Sequence, residues 1–172
     1  MNAKIKHYAT EKEIKDLIKV LCDENGNKRK KARKELADIG ESVLDYMKEP
    51  LNHPKHICRW EALKVIKEIA DLKSIPVFLE AMDDDKSDIR WIAAEGLIRM
   101  GKYSVKPLLK LVAEKYDSVF ILNGAHHVFF ELNERDLLPK SFSAKKLLAF
   151  LKSSGKGPSL RVLVHNILSE LE

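Results

Sequence analysis

The fold is decided by the stretch Asp88–Gly101, which reads DIRWIAAEGLIRMG. Its apolar residues recur at steps of three and four, which places them on one face of a helix. These residues are Ile89, Ile92, Ala93, Leu97 and Met100. The stretch ends at Gly101, and glycine readily takes the left-handed conformation that closes a helix. The sequence therefore predicts an amphipathic helix with a defined C-terminal end.

The same pattern recurs along the chain. Residues 59–62 (RWEA) match residues 90–93 (RWIA), and Arg29 and Ala32 occupy the corresponding positions one step earlier. A more divergent copy covers Val119–Leu132, in which the arginine is replaced by leucine. Self-similarity at a spacing of about 30 residues is typical of stacked repeat proteins. The sequence therefore predicts an all-α fold, an α-solenoid of about four to five antiparallel helix pairs.

We expect one repeat domain over residues 1–172. Residues 1–26 are predicted to hold a capping helix, which begins at Thr10 with Glu13 completing a capping box. Residues 27–132 carry the clear repeats, and residues 133–172 a divergent C-terminal repeat and cap. In each repeat an outer helix is followed by a shorter inner helix. The closing helix is predicted over residues 159–171, with Arg161 in the recurring arginine position.

Composition excludes several classes of protein. Charged residues make up 33% and hydrophobic residues 45% of the 172 residues, which is typical of a folded, helix-rich domain. No apolar run approaches the roughly 20 residues that span a bilayer, and the charged N-terminus does not resemble an export signal. Cys22 and Cys58 do not form a disulfide framework and are interpreted as small core residues. We therefore expect a cytoplasmic protein with no membrane partner.

The repeat motif resembles a known family. R-x-x-A-x-x-x-L-x-x-I-G on an outer helix, followed by V-x-P-L-L on an inner helix, resembles HEAT repeats. It is most similar to the short HEAT-like repeats that also occur in phycobilisome (bilin) lyases. The resemblance implies a right-handed superhelix. It does not imply one activity, because many functions use this scaffold, and no residue here specifies a bilin, so no cofactor is predicted.

Two arginine–tryptophan pairs are candidate binding residues. Arg59-Trp60 and Arg90-Trp91 occupy the same positions in adjacent repeats. They can form an aromatic and cationic strip that stacks on bases or clamps a partner, or each indole can cover a junction between repeats. Glu95 lies one turn after Trp91. Trp91 with Glu95 resembles a fragment of the site in HEAT-like alkylpurine DNA glycosylases, although their carboxylate is an aspartate.

A basic run and a histidine group are weaker candidates. Residues 28–34 hold six positive charges, among them Lys30, Lys31 and Arg33, which can bind phosphate or form a solvated helix face. Deoxyhypusine hydroxylases have similar repeats and bind iron through His-Glu pairs, but the sequence contains no His-Glu dipeptide. His53, His56 and Cys58 are close in sequence but lack a fourth ligand. We predict no metal and no catalytic residue.

The sequence thus leaves two functions open. The first is a non-catalytic scaffold that binds another protein through its inner helices, where Lys106 and Lys110, together with Lys48 and Glu80, are expected to point outward. The alternative is a nucleic-acid-binding module or glycosylase-type repair protein. It would use Trp60, Trp91 and Glu95 together with the basic first repeat.

Overall fold

A computed structural model describes residues 9–139, 142, 144–152 and 158–171. Every regular element within these ranges is helical. The α-helices are α1 (Glu11–Val20), α2 (Gly26–Ile39), α3 (Lys48–Leu51), α4 (His56–Ile69), α5 (Ile75–Ala81), α6 (Ser87–Met100), α7 (Lys102–Glu114), α8 (Val119–Glu134), α9 (Ala144–Lys152) and α10 (Pro158–Glu170). Two short 3₁₀ helices cover Glu41–Tyr46 and Leu72–Ser74. The prediction of an all-α fold is confirmed.

The chain forms two compact units, Met1–Asp71 and Leu72–Glu172. In the first unit α2 packs against α1 and α4, and α3 packs against α4. In the second unit α6 packs against α5 and α8, while α8 also contacts α7 and α9. Within each unit, outer helices of successive repeats lie side by side, as the repeat pattern predicts. No helix of the described ranges is both long and apolar enough to cross a membrane.

Local sequence signals define several helix ends as predicted. The Thr10 side chain accepts a hydrogen bond from the Glu13 backbone N–H, and the Thr10 N–H donates to the Glu13 carboxylate at 2.7 Å, forming a capping box. Gly101 follows α6 with a φ of +60°, a backbone conformation that glycine adopts without a steric penalty. The corresponding residue after α4 is Ala70, which adopts the left-handed conformation despite its Cβ.

Small residues let neighbouring helices approach closely. Four alanines at the same position of successive repeats are at most 2% exposed: Ala32, Ala62, Ala93 and Ala125. Gly96 on α6 is the extreme case, because a Cβ at this position would lie 2.4 Å from the ring of Phe78. Since Phe78 is fully buried, its ring fills the space that any larger residue at position 96 would need.

The first inner helix is less regular than predicted. The sequence predicts one helix here, which starts at Glu41 or Ser42 and is ended by Pro50 and Pro54. The structure instead has the 3₁₀ helix Glu41–Tyr46 followed by the four-residue helix α3. Pro50 has no backbone N–H to donate, and the segment is short. Tighter 3₁₀ hydrogen bonding is common in such short pieces.

The C-terminal helix packs differently from an outer helix of a further repeat. α10 lies mainly against α7 and also contacts α9. Its buried side chains, Leu160, Leu163, Val164 and Ile167, form the apolar face that the sequence predicts. Arg161 is exposed on this helix, and its equivalence to the earlier arginines stays a prediction, because the residues five and six positions before it lie outside the described ranges. The sequence predicts an inner helix over residues 143–151, and its first residue, Ser143, lies outside the described ranges.

Candidate functional site

The recurring arginines have the same structural task in three repeats. In each, Nη1 donates to the backbone carbonyls of the residues six and five positions earlier, at 2.7–3.4 Å. The acceptors are Asp23 and Glu24 for Arg29, His53 and Pro54 for Arg59, and Asp84 and Asp85 for Arg90. Each arginine therefore ties an outer helix to the loop that leads into it. Arg59 and Arg90, which the sequence predicts as binding residues, therefore also make structural contacts within their own repeats.

Trp91 lies on the surface of the second unit. Its side chain is 56% exposed, and its ring stacks on that of His127 with 4.6 Å between centroids. Nε2 of His127 lies 3.3 Å from Oε1 of Glu95. The indole thus covers a helix of the next repeat with one side and meets solvent with the other. Trp91 and Glu95 of α6 and His127 of α8 form one cluster.

This cluster extends along α8 into a larger surface, which we name the α6–α8 face: Trp91, Glu95, Phe120, His127 and Phe130. Phe120, His127 and Phe130 are spaced seven and three residues apart, so they lie on one side of α8. Phe120 is 46% and Phe130 is 44% exposed. The Arg90 guanidinium lies 3.9 Å from the centroid of the Phe120 ring. The α6–α8 face is therefore aromatic, with a cation and a carboxylate beside the rings.

His126 supports the same surface from one side. Its ring stacks on Phe130, with 6.3 Å between centroids. Burial lowers the pKa of His126, and the nearby Lys152 and His127 act in the same direction. The neutral imidazole is therefore favoured at this position, next to the exposed Phe130 ring.

Trp60 has a different environment in the first unit. It is half-buried, and Nζ of Lys64 lies 3.6 Å from the centroid of its ring. Lys64 also lies 3.7 Å from Glu61. Burial lowers the pKa of Lys64, while the charge of Glu61 opposes the change. Trp60 therefore contacts a cation of its own helix, whereas Trp91 stacks on a histidine of the neighbouring helix.

Two arginines of the basic run, Arg29 and Arg33, form ion pairs inside the first unit. Glu61 is 2% exposed and receives Arg29 Nε at 3.2 Å together with Nη1 of Arg33. Arg33 also pairs with Glu68 at 3.0 Å. Lys30 and Lys31 are exposed. Sequence reasoning missed this network, although the polar Glu61 at the position occupied by Ile92 in the next repeat was an available signal.

A disulfide joins the two cysteines, which the sequence analysis does not predict when it interprets them as small core residues. Cys22 follows α1 and Cys58 lies in α4, with 4.9 Å between their Cα atoms, and a disulfide joins them. Cys58 is fully buried, as a core residue would be. Their sequence separation of 36 hides this contact from local patterns. His53 lies beside both sulfur atoms, so its partners are Cys22 and Cys58, not the His56 and Cys58 that sequence proximity suggested.

The predicted inner-helix surface is only partly open in the second unit. On α7, Lys110 is exposed and Lys106 is half-buried. α10 packs against this helix, so part of its surface is already covered by the chain itself. The exposure of Lys110 agrees with the prediction, and its contact with a partner stays a prediction.

Comparison with known proteins gives a structural likeness and no match in sequence. No family model matches the chain, and no curated protein matches it. Among solved structures, a chain of the complex of CpcE and CpcF of phycocyanin lyase from Nostoc sp. PCC7120 has a TM-score of 0.63 and is 19% identical. The match covers 92% of this protein and 99% of that chain. This likeness confirms the fold expected from the repeat motif: the protein has the HEAT-like all-α fold of that phycocyanin lyase chain.

Proposed function

We propose that this protein is a non-catalytic HEAT-like scaffold that binds another protein through the α6–α8 face. The observation that carries the proposal is the exposure of Trp91, Phe120 and Phe130 on two adjacent helices. Tryptophan and other aromatic residues are enriched in the centres of protein interfaces. Exposed aromatic groups that share one face favour a partner that buries them.

The charges on this face support a protein partner of mixed character. Arg90 lies over Phe120, and Glu95 lies beside His127. Such a surface combines apolar rings with one positive and one negative side chain. Complementary charges on a partner would set its orientation and give the interface specificity. The similar lyase chain was solved in complex with a second subunit, which supports a protein partner for this chain.

Site-specific photocrosslinking in cells tests the proposal. A photoreactive phenylalanine analogue placed at Phe130 should give one discrete adduct with another protein, because this ring is exposed on the proposed interface. The same analogue at Val162, which is 60% exposed on α10, serves as the matched control and should give no such adduct. Replacing Trp91 by alanine should abolish the adduct at position 130.

A third probe position separates the two surfaces. The analogue at Lys110 examines the inner-helix surface that the sequence favours. An adduct at Lys110 and none at Phe130 would move the interface to α7. If neither position yields an adduct that the Val162 probe lacks, the scaffold proposal is refuted.

Nucleic-acid binding is the second candidate, and the exposure of Trp91 favours it. The ion pairs of Arg29 and Arg33 with Glu61 weigh against a large phosphate-binding patch. Fluorescence anisotropy with labelled DNA and RNA at several salt concentrations tests this function. Charge reversal should be made at Lys30, Lys31 and Lys34, because changing Arg33 also breaks the buried network. Tight, salt-sensitive binding that these substitutions weaken would replace the scaffold proposal.

A further inference from the structure

Three metal-binding side chains converge in the first unit from separate parts of the chain. Cys22 follows α1, His53 precedes α4, and Cys58 lies in the first turn of α4. One ligand atom of each lies within 4.8 Å of the other two. Cys22 and Cys58 are the chain's two cysteines, and folding brings both to the same histidine. This cluster lies outside the α6–α8 face and has no part in the proposed function.

We propose that the reduced protein binds one Zn²⁺ through Cys22, Cys58 and His53, and that formation of the Cys22–Cys58 disulfide releases it. Two thiolates and an imidazole form a donor set that Zn²⁺ prefers, with bonds of about 2.3 Å to sulfur and about 2.0 Å to nitrogen. The donor atoms of such a tetrahedral site lie roughly 3.5–3.8 Å apart. The observed cluster needs only small side-chain movements to reach this spacing once the disulfide is reduced.

The cluster is buried on one side and borders a solvent-accessible cleft on the other. Cys58 is fully buried, while Cys22 and His53 line a cleft of about 790 Å³. Asp45 and Glu49 line the same cleft. The three protein ligands therefore leave the fourth position of the zinc toward the cleft, where water or a carboxylate can complete the coordination. Three protein ligands with one open position differ from the closed four-ligand sites that serve only structure.

The disulfide and the metal site exclude each other because both use the same sulfur atoms. Reduction by a phosphine breaks the S–S bond and gives two thiols, while the phosphine takes up one oxygen from water. Zn²⁺ binding then displaces the two thiol protons. In the reverse direction, a small-molecule disulfide accepts two electrons from the zinc-bound thiolates. The Cys22–Cys58 bond forms, both Zn–S bonds break and Zn²⁺ leaves to the solvent, while the oxidant leaves as two thiolates that take up two protons from water.

His53 provides a signature of the bound state. The Lys55 backbone N–H donates to its Nδ1 at 3.1 Å, so the proton of the neutral ring is on Nε2. Coordination through Nδ1 displaces this hydrogen bond directly. Coordination through Nε2 moves the ring proton to Nδ1 and also breaks it. Zinc binding at this site must therefore change the environment of the Lys55 amide.

The experiment is a titration of the full chain with Zn²⁺ after reduction and removal of metal, in competition with a chromophoric chelator. We expect one Zn²⁺ per chain, and Co²⁺ in its place should give the thiolate-to-metal absorption of a tetrahedral site. His53→Asn should weaken Zn²⁺ binding by more than about 100-fold, since even a supporting partner is worth 10–100-fold. His56→Asn is the matched control and should bind like the wild type, because His56 lies outside the cluster.

A comparison of redox states needs no substitution and is therefore independent of whether variants fold. The same protein oxidised to the disulfide should bind no Zn²⁺ in the titration, and the zinc-loaded protein should release its metal when a small-molecule disulfide is added. In the reduced protein, Zn²⁺ should shift the Lys55 amide resonance. If the reduced and oxidised proteins bind Zn²⁺ equally, or if His53→Asn and His56→Asn behave alike, the proposal is wrong.

Discussion

The two units join their outer helices by different chemistry. In the first unit, α2 and α4 are linked by a carboxylate, Glu61, which meets Arg29 and Arg33 in the interior. In the second unit, the position that corresponds to Glu61 is Ile92, which is 8% exposed. The arginine contacts to the preceding loop occur in both units. The repeat thus preserves how a helix begins, while the contact between neighbouring helices can be ionic or apolar.

In the second unit, packing depends instead on glycines that let side chains of neighbouring helices come close to the backbone. Gly96 of α6 lies against the ring of Phe78, and Gly124 of α8 lies against Met82. Ion pairs tolerate small shifts in distance, whereas packed rings do not. We therefore expect the first unit to be sensitive to loss of charge and the second unit to be sensitive to added volume.

The largest effect is expected from Glu61→Ala. This change leaves the cations of Arg29, Arg33 and Lys64 partly buried without their shared partner, with side chains only 13–18% exposed. Removing one partner of a buried ion pair costs about 3–5 kcal/mol, and urea unfolding measures the loss. Glu68→Ala is the control, since the Glu68 side chain is 40% exposed and such pairs contribute about 1 kcal/mol at most. Equal losses for both variants would contradict the role given to Glu61.

The next effect concerns added volume in the second unit. Gly96→Ala places a methyl group against the fully buried Phe78 ring and should cost about 1–3 kcal/mol, more than the roughly 1 kcal/mol that alanine gains in a helix. Gly124→Ala is the matched control, because its neighbour is the flexible end of Met82, which can turn aside. Thermal unfolding compares the two. A stabilised Gly96→Ala protein would show that the ring is free to move.

The arginine contacts test what the two units share. Arg59→Met and Arg90→Met keep most of the alkyl chain but remove the donors to the preceding carbonyls, and each should cost about 1–2 kcal/mol. At Arg90, the contact with Phe120 should add about 0.5–1 kcal/mol, which a double-mutant cycle with Phe120→Leu isolates. If neither Arg59→Met nor Arg90→Met changes the free energy of unfolding, the arginine contacts do not stabilise the repeat.

The smallest effect is a pH dependence at His126. Its pKa is lowered in the folded state by burial, with Lys152 and His127 contributing, so below pH about 6.5 the unfolded chain binds more protons. Stability should therefore fall as the pH is lowered from about 6.5 through the folded-state pKa. His126→Gln should flatten this part of the stability profile, whereas His165→Gln, at an exposed position on α10, should leave it unchanged. An unaltered profile in His126→Gln would refute the assignment.

Much of the fold follows from local pattern. The capping box at Thr10, the buried alanines and the end of α6 at Gly101 depend on neighbours within a few residues, which a single sequence displays. The break of the first inner helix into a 3₁₀ helix and α3 was harder to predict from the sequence. It reflects a balance between short length and Pro50 that the sequence pattern does not resolve.

The candidate site was predictable only in part. Trp91 and Glu95 stand one turn apart, so their proximity could be read directly. Their third partner, His127, lies 32 residues further on and becomes visible only when α6 packs on α8. Cys22 and Cys58 are hidden in the same way, because pairing across repeats depends on packing. The sequence favours a solvated charge at Arg33, because its buried partner Glu61 lies 28 residues away in the chain.

The arginine contacts also bear on how such a chain can change in length. Between each arginine and its two carbonyl acceptors the separation is six and five residues in all three repeats. Yet the step from Arg59 to Arg90 is one residue longer than the step from Arg29 to Arg59. The extra residue therefore falls outside the helix entrance. Insertions and deletions during evolution should accumulate elsewhere in the repeat, because a single added residue at the entrance would detach the arginine from its loop.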